Sequence, residues 1–194
     1  VKGDWLVPMP SGLDMKRAMA VGTAGFTAML AITTLEAQGL TPDADGEVLV
    51  TGASGGVGSV ATAILAKLGY KVAGSTGRQE SHAFLKDLGA ATIVERAELE
   101  EAPKGPLGRE RWAGAIDNLG GETLTWLTKT VGHTGNIASI GLAASHELKT
   151  TVLPFILRGV CLLGINSSDT LRDLRLAIWN RIGSDLKPQQ LDTI

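Results

Sequence analysis

One cysteine, one tyrosine and three histidines are all that 194 residues contain of the side chains that most often pair, shuttle protons or hold transition metals. Cys161 alone cannot close an internal disulfide or build a cysteine-rich zinc site, and the scattered histidines do not make up the deficit. His82 and His133 have no cysteine or carboxylate at ligand spacing. A surplus of charge is missing too. The formal net charge is −2, and the acids and bases are dispersed. No basic face or acidic tail is visible, so nucleic acid and membrane surfaces are not expected partners. No uninterrupted apolar run of about 18 residues stands out, and the start lacks the basic-then-apolar layout of a secretion signal. The expectation is a soluble chain in a reducing, cytoplasmic setting, with Cys161 a buried structural thiol.

What is present is 44% hydrophobic content and 25 glycines, enough for one well-buried domain. From Leu13 to Gln38, small and apolar residues predict a helix interrupted only by Gly22 and Gly25, with Gly39 as its stop. Glu47 to Thr51 has the β-branched look of a buried parallel strand. Val57 to Leu68 reads as a helix, Lys71 to Ser75 as a strand, Gln79 to Leu88 as a helix and Ala91 to Val94 as a third strand. A polar loop over 95–109, with room for one helical turn, precedes a strand at Trp112 to Asn118. A helix from Gly120-Gly121 to about Val131, a strand at His133 to Ile140, a short helix at Pro154 to Arg158, a sixth strand at Val160 to Ile165 and a helix from about Thr170 to Gly183 complete the series. Strands alternating with helices predict an α/β fold: a doubly wound, parallel six-stranded sheet with helices on both faces.

The octapeptide Thr51-Gly52-Ala53-Ser54-Gly55-Gly56-Val57-Gly58 sits between a predicted strand and a predicted helix, the context that a dinucleotide-binding turn requires. Gly55 lets the backbone approach a pyrophosphate, Gly58 lets helix pack on strand, and the first helical N–H groups face the anion. A tight turn without a ligand has the same residues. So does the glycine turn of short-chain dehydrogenases, but those enzymes need a Tyr with Lys four positions later. The one tyrosine, Tyr70, has Gly74 in that place.

A dinucleotide site selective for NAD places an acid about 20 residues beyond the first strand, against the ribose 2′-hydroxyl. Here the second strand runs into Ser75-Thr76-Gly77-Arg78, a hydroxyl, a glycine and a guanidinium, with no acid. A planar guanidinium suits a 2′-phosphate, so the expected cofactor is NADP(H).

Further segments fall in the order of one family: Gly22-Thr-Ala-Gly-Phe-Thr-Ala-Met29, the glycine turn, Thr76-Gly-Arg78, Trp112-Ala-Gly-Ala-Ile-Asp117, Gly141-Leu142, Pro154-Phe-Ile-Leu-Arg158 and Gly164-Ile-Asn-Ser167. The chain resembles the zinc-free medium-chain dehydrogenase/reductase superfamily, of the acrylyl-CoA reductase (NADPH) and quinone oxidoreductase type, over about Gly12 to Ser184. The resemblance implies pyrophosphate contacts at Ser54, Gly55, Gly56 and Val57, and 2′-phosphate contacts at Thr76, where the family usually has Ser, Gly77 and Arg78. It implies a further cofactor contact at Arg96, and nicotinamide-side positions at Leu142, Ile156 and Ser167, the first two of which also suit a plain core. Asn166 stands where the family often has Asp.

The resemblance further implies that residues 1–12 are a linker from a GroES-like, substrate-binding domain, that 13–184 form the NADP-binding Rossmann domain, and that 185–194 begin the return. It implies hydride transfer from NADPH to an activated C=C bond of an enoyl-CoA-like substrate or to a quinone, with a small-molecule substrate, and it implies a dimer; the predicted topology puts the strand holding Cys161 at an apolar sheet edge, where a second copy is expected to pair. No catalytic residue and no metal ligand is assigned within the chain, so the isolated piece is expected to be inactive. The alternative is an NADP(H)-binding module with no catalysis of its own.

Overall fold

In a computed structural model, residues 2–99, 103, 105–185 and 191 are described. Six strands form one wholly parallel sheet in the order β3-β2-β1-β4-β5-β6. They are β1 (Glu47–Val50), β2 (Val72–Thr76), β3 (Thr92–Glu95), β4 (Trp112–Asp117), β5 (Val131–Ser139) and β6 (Cys161–Gly164). The helices are α1 (Met15–Ala37), α2 (Gly56–Lys67), α3 (His82–Asp87), α4 (Gly121–Thr130), α5 (Leu153–Arg158) and α6 (Arg172–Asp185). The order reverses between β1 and β4, which opens a crevice beyond the carboxyl ends of those strands.

Alternate residues of the buried strands feed opposite faces. Val48 and Val50 join Phe26, Met29, Ile64 and Ile182 on one side, whereas Leu49 joins Trp112, Leu127 and Ile137 on the other. Helix α1 starts at Asp14, whose carboxylate accepts the Arg17 N–H at 2.8 Å as an N-cap. Its regular course breaks at Gly22, which adopts φ 48°. Beyond the break it packs on α2 and α6. Contrary to the first impression of the sequence, α1 is long and apolar enough to cross a membrane by length and composition. Its burial against the sheet layer is that of a core helix, with Met29, Ala31, Ile32 and Leu35 wholly buried.

Most elements lie within two residues of the sequence expectation, and the differences have local causes. The helix expected over 79–88 is a 3-10 turn at Gln79–Ser81 followed by α3. Strand β5 begins at Val131 because Val131 pairs with Trp112 across a register irregularity before the regular ladder from Gly114 and Asn136. Helix α6 starts late because Asn166 organises the preceding turn: its Oδ1 accepts the N–H groups of Ser168 (3.1 Å) and Asp169 (3.3 Å), and its carbonyl accepts the Thr170 hydroxyl (3.1 Å). Tyr70 serves packing: its hydroxyl donates to Glu36 Oε1 at 3.1 Å, and Arg181 of α6 binds the same Glu36 carboxylate. Burial, and then Glu36, push the Tyr70 phenol far above its ordinary range.

Cys161 corrects one expectation. Its thiol is exposed, not buried, because β6 is the sheet edge and no described element covers that side of its first residue. Residues 186–190 and 192–194 of the expected return segment lie outside the described residues.

Candidate functional site

The crevice at the strand-order reversal has a volume of about 570 Å³. It has three walls: the glycine turn after β1, the Ser75–Arg78 stretch at the end of β2 with Arg96 beside it, and the segments Asn118–Leu119 and Ile140–Ala143 after β4 and β5.

The turn after β1 exists because Gly58 allows it. A Cβ there would overlap the Gly52 carbonyl and stand 2.7 Å from the Ala53 Cα, so only glycine lets α2 begin this close to β1. The Gly52 carbonyl also accepts the Gly55 N–H at 2.9 Å, which closes the turn. Gly55 caps α2 without any side-chain bond. The first-turn N–H groups of a helix have no intrahelical acceptor, and here they lie at the crevice wall formed by Gly55, Gly56 and Val57.

On the neighbouring wall Thr76 is buried and Arg78 exposed. Thr76 Oγ1 lies 2.9 Å from Ser54 Oγ and accepts the Arg78 backbone N–H at 3.2 Å. Arg96 follows β3 and packs over Gly77, with its Cδ 3.6 Å from where a Gly77 Cβ would stand. Among the described residues, Arg78 and Arg96 are the two charged side chains that line the crevice. The wall is therefore locally cationic on a chain whose net charge is −2.

Of the third wall the sequence pointed to Leu142 and missed Asp117 and Asn118. Asp117, wholly buried at the end of β4, accepts the Thr51 hydroxyl at 2.7 Å, the Leu119 N–H at 3.4 Å and the Gly120 N–H at 2.8 Å. Asn118 donates its side-chain amide to the Thr51 carbonyl at 2.7 Å and its N–H to the Thr51 hydroxyl at 2.9 Å. The loop after β5 is tied to the same segment, because the Asp117 carbonyl accepts the Ile140 N–H at 2.9 Å and the Leu119 carbonyl accepts the Ala144 N–H at 2.8 Å. Burial pushes the Asp117 carboxyl above its ordinary range, even though its three donors pull the other way. The signal that could have found these two residues was the placement of Asp117-Asn118 at a strand end beside the order reversal.

Of the sequence-predicted residues, Ser54, Gly55, Gly56, Val57, Thr76, Gly77, Arg78, Arg96 and Leu142 meet in this one crevice. Leu142 is 67% exposed and so is no core residue. Ser167 and Ile156 do not join them. Ser167 lines a separate, mainly apolar groove of about 620 Å³ with Trp5, Met15, Met19, Phe26 and Arg175. Ile156 projects from α5 at 70% exposure, so it is not core either.

The chain matches the family model described as zinc-binding dehydrogenase over residues 56–179. It is 54% identical over 194 residues to the acrylyl-CoA reductase AcuI of Ruegeria pomeroyi, spanning all of this chain and 58% of that protein. The yhdH oxidoreductase from Salmonella enterica, solved in complex with NADP, superposes with a TM-score of 0.95 at 49% identity, over 99% of this chain and 58% of that one. Bacillus subtilis yhfP, solved with NAD bound, gives 0.96 at 48%, over 100% of this chain and 59% of that one. The chain thus spans less than two thirds of the length of these relatives. Among the described residues no three His, Cys, Asp or Glu side chains converge as a metal site, so the residues present do not fit the zinc of the family's description. The sheet order, the glycine turn and the matched segment agree: this chain belongs to the zinc-binding dehydrogenase family.

Proposed function

We propose that this chain is the NADP(H)-binding half of an NADPH-dependent oxidoreductase that reduces an activated C=C bond, of an acrylyl- or enoyl-CoA-like thioester, or a quinone. The observation that carries the reading is the pairing, on one crevice, of an α2 N-terminus with no side-chain cap and a Ser75–Arg78 end of β2 that holds no acid, with Arg78 and Arg96 on its wall. The first suits a pyrophosphate and the second a 2′-phosphate. The similarity to AcuI supports the substrate class. When bound, NADPH supplies the hydride.

The chain's own residues bind and orient. Gly55, Gly56 and Val57 present backbone N–H groups, with Ser54 beside them, and Gly77, Arg78 and Arg96 form the 2′-phosphate end next to Thr76. Leu142 offers an exposed apolar surface on the wall after β5. Ser167 and Ile156 are proposed on the nicotinamide side from the family resemblance alone, outside this crevice. The alternative reading is an NADP(H)-binding module with no catalysis of its own. A cytoplasmic setting agrees with its single, free cysteine.

Arg78→Ala is expected to weaken NADPH binding about ten- to a hundredfold while barely changing NADH, since a hydrogen bond to a charged group contributes roughly 1.5–3 kcal/mol. Calorimetric titration with each nucleotide at matched salt measures it. Equal losses for both nucleotides would remove Arg78 from the 2′-phosphate site.

A homodimer paired along β6 is part of the proposal. Cys161 opens that edge strand, and the apolar side chains of Val152, Ile156 and Leu157 are exposed nearby in sequence. Modification of Cys161 by a thiol reagent should be fast at dilutions where sedimentation shows a monomer and slow where it shows a dimer. A dimer whose Cys161 reacts at the monomer's rate would place the interface elsewhere.

A further inference from the structure

Thr76 closes β2 with only 4% of its surface exposed. A threonine hydroxyl has one proton and two lone pairs. The Arg78 N–H occupies one lone pair, and the 2.9 Å contact with Ser54 Oγ uses either the proton or the second pair. Both inward partners are backbone or side chain of the crevice wall itself. We propose that Thr76 is a positioning residue of the cofactor site and not a phosphate ligand: its hydroxyl ties Ser54 of the glycine turn to the backbone of Arg78, and so fixes the pyrophosphate end and the 2′-phosphate end relative to each other. This rests on the cofactor reading above.

The link extends the backbone bond from the Ala53 N–H to the Ser75 carbonyl, 2.9 Å, by one residue or more on each side, to the Ser54 hydroxyl and the Arg78 N–H. Gly55 caps α2 with no side-chain bond, and Arg78 is an exposed residue outside the β2 ladder, leading into a 3-10 turn. The hydroxyl also crosses between two strands' loops, from the turn after β1 to the end of β2, a span of 22 residues in sequence. With Thr76 donating to Ser54, the Ser54 hydroxyl keeps its own proton for an anion in the crevice. Loss of the Thr76 hydroxyl therefore loosens both anion sites together, whereas a direct 2′-phosphate ligand would affect one of them.

The test is calorimetric titration of the protein with NADPH and with NADH for the wild type, Thr76→Val, Thr76→Ser and Arg78→Ala. Thr76→Val is expected to weaken both nucleotides by roughly three- to tenfold, the size of one neutral hydrogen bond. Thr76→Ser should stay within about twofold of wild type, and Arg78→Ala should weaken NADPH alone. For NADPH, the Thr76→Val and Arg78→Ala losses should combine to less than their product, because the two act on one contact. A loss confined to NADPH in Thr76→Val makes Thr76 a direct ligand and overturns the positioning role while the cofactor reading stands. No loss for either nucleotide overturns it as well. Equal NADPH and NADH losses in Arg78→Ala strike the cofactor reading itself, and the inference falls with it. One measurement needs no variant: the Arg78 amide of the wild-type protein should be protected from hydrogen exchange despite the exposure of its residue, and exchange at the unstructured rate removes the link.

Discussion

Gly58→Ala is expected to lower the thermal midpoint by roughly 6–12 °C and to weaken NADPH binding by at least about tenfold. The added carbon has nowhere to go. It would overlap the Gly52 carbonyl and sit 2.7 Å from the Ala53 Cα, and both neighbours are backbone, which cannot rotate aside. Over-packing of this kind costs about 3 kcal/mol at its upper range. For a chain of this size each kcal/mol moves the midpoint by about 2–4 °C. Relief requires α2 to move away from β1, and that carries the helix N-terminus away from Gly55 and Ser54, the turn residues it shares the crevice with. Stability and affinity should therefore fall together. Gly56→Ala is the contrast for stability, since its added carbon would meet the Ala24 Cβ at 3.4 Å, an ordinary contact, and its melting temperature should stay close to wild type. Scanning calorimetry and nucleotide titration of the two variants measure both effects. An unchanged midpoint in Gly58→Ala would mean that the turn is not as tightly closed as described.

Asp117→Ala should destabilise the protein by about 3 kcal/mol or more, because it leaves the Thr51 hydroxyl and the Gly120 and Leu119 N–H groups without their acceptor in a buried place. Chemical denaturation at neutral pH gives the size. A difference under about 1 kcal/mol would mean that water replaces the carboxylate there. The pH dependence separates the charge from the hydrogen bonds. Burial raises the Asp117 pKa above its unfolded value of about 3.9, so the folded protein holds this proton over a range in which the unfolded chain has lost it. That contribution to stability is fully present below about pH 4 and is lost as pH rises through the raised folded value. Asp117→Asn does not titrate. The stability advantage of wild type over Asp117→Asn should thus be greatest near pH 4 and shrink toward neutrality. An advantage that instead grew with pH would show that the three donors, and not burial, govern this carboxyl.

The two residues illustrate different degrees of legibility. Gly58 could be singled out from the sequence because everything it needs lies within a few positions: a β-branched run before it, a helical period after it and glycines at fixed spacing between them. The same locality made the strands and helices readable, since buried parallel strands are short apolar runs and glycines punctuate the helices that follow. The Ser75–Arg78 end of β2 was legible for the same reason, and the meeting of Arg96 with Gly77 follows once β3 is known to pair with β2.

Asp117 was not legible as a site residue because its closest partner, Thr51, is 66 positions away. Only the adjacency of β1 and β4 brings them together. The edge position of β6 was expected, but the exposure of Cys161 at its first residue depends on what packs beside that edge, which a hydrophobic run does not report. Ser167 and Ile156 were placed by motif order, and the chain's path sets them in different surroundings from the crevice. By itself, then, the sequence determined the α/β alternation, the glycine turn and the acid-free second strand end, all properties of residues within one turn or strand of each other. The tertiary structure decided which strand ends face one another, which carboxyl is buried between them and that Thr76 spends its hydroxyl inward, because hydrogen-bond partners and burial depend on distances in space that local periodicity does not encode.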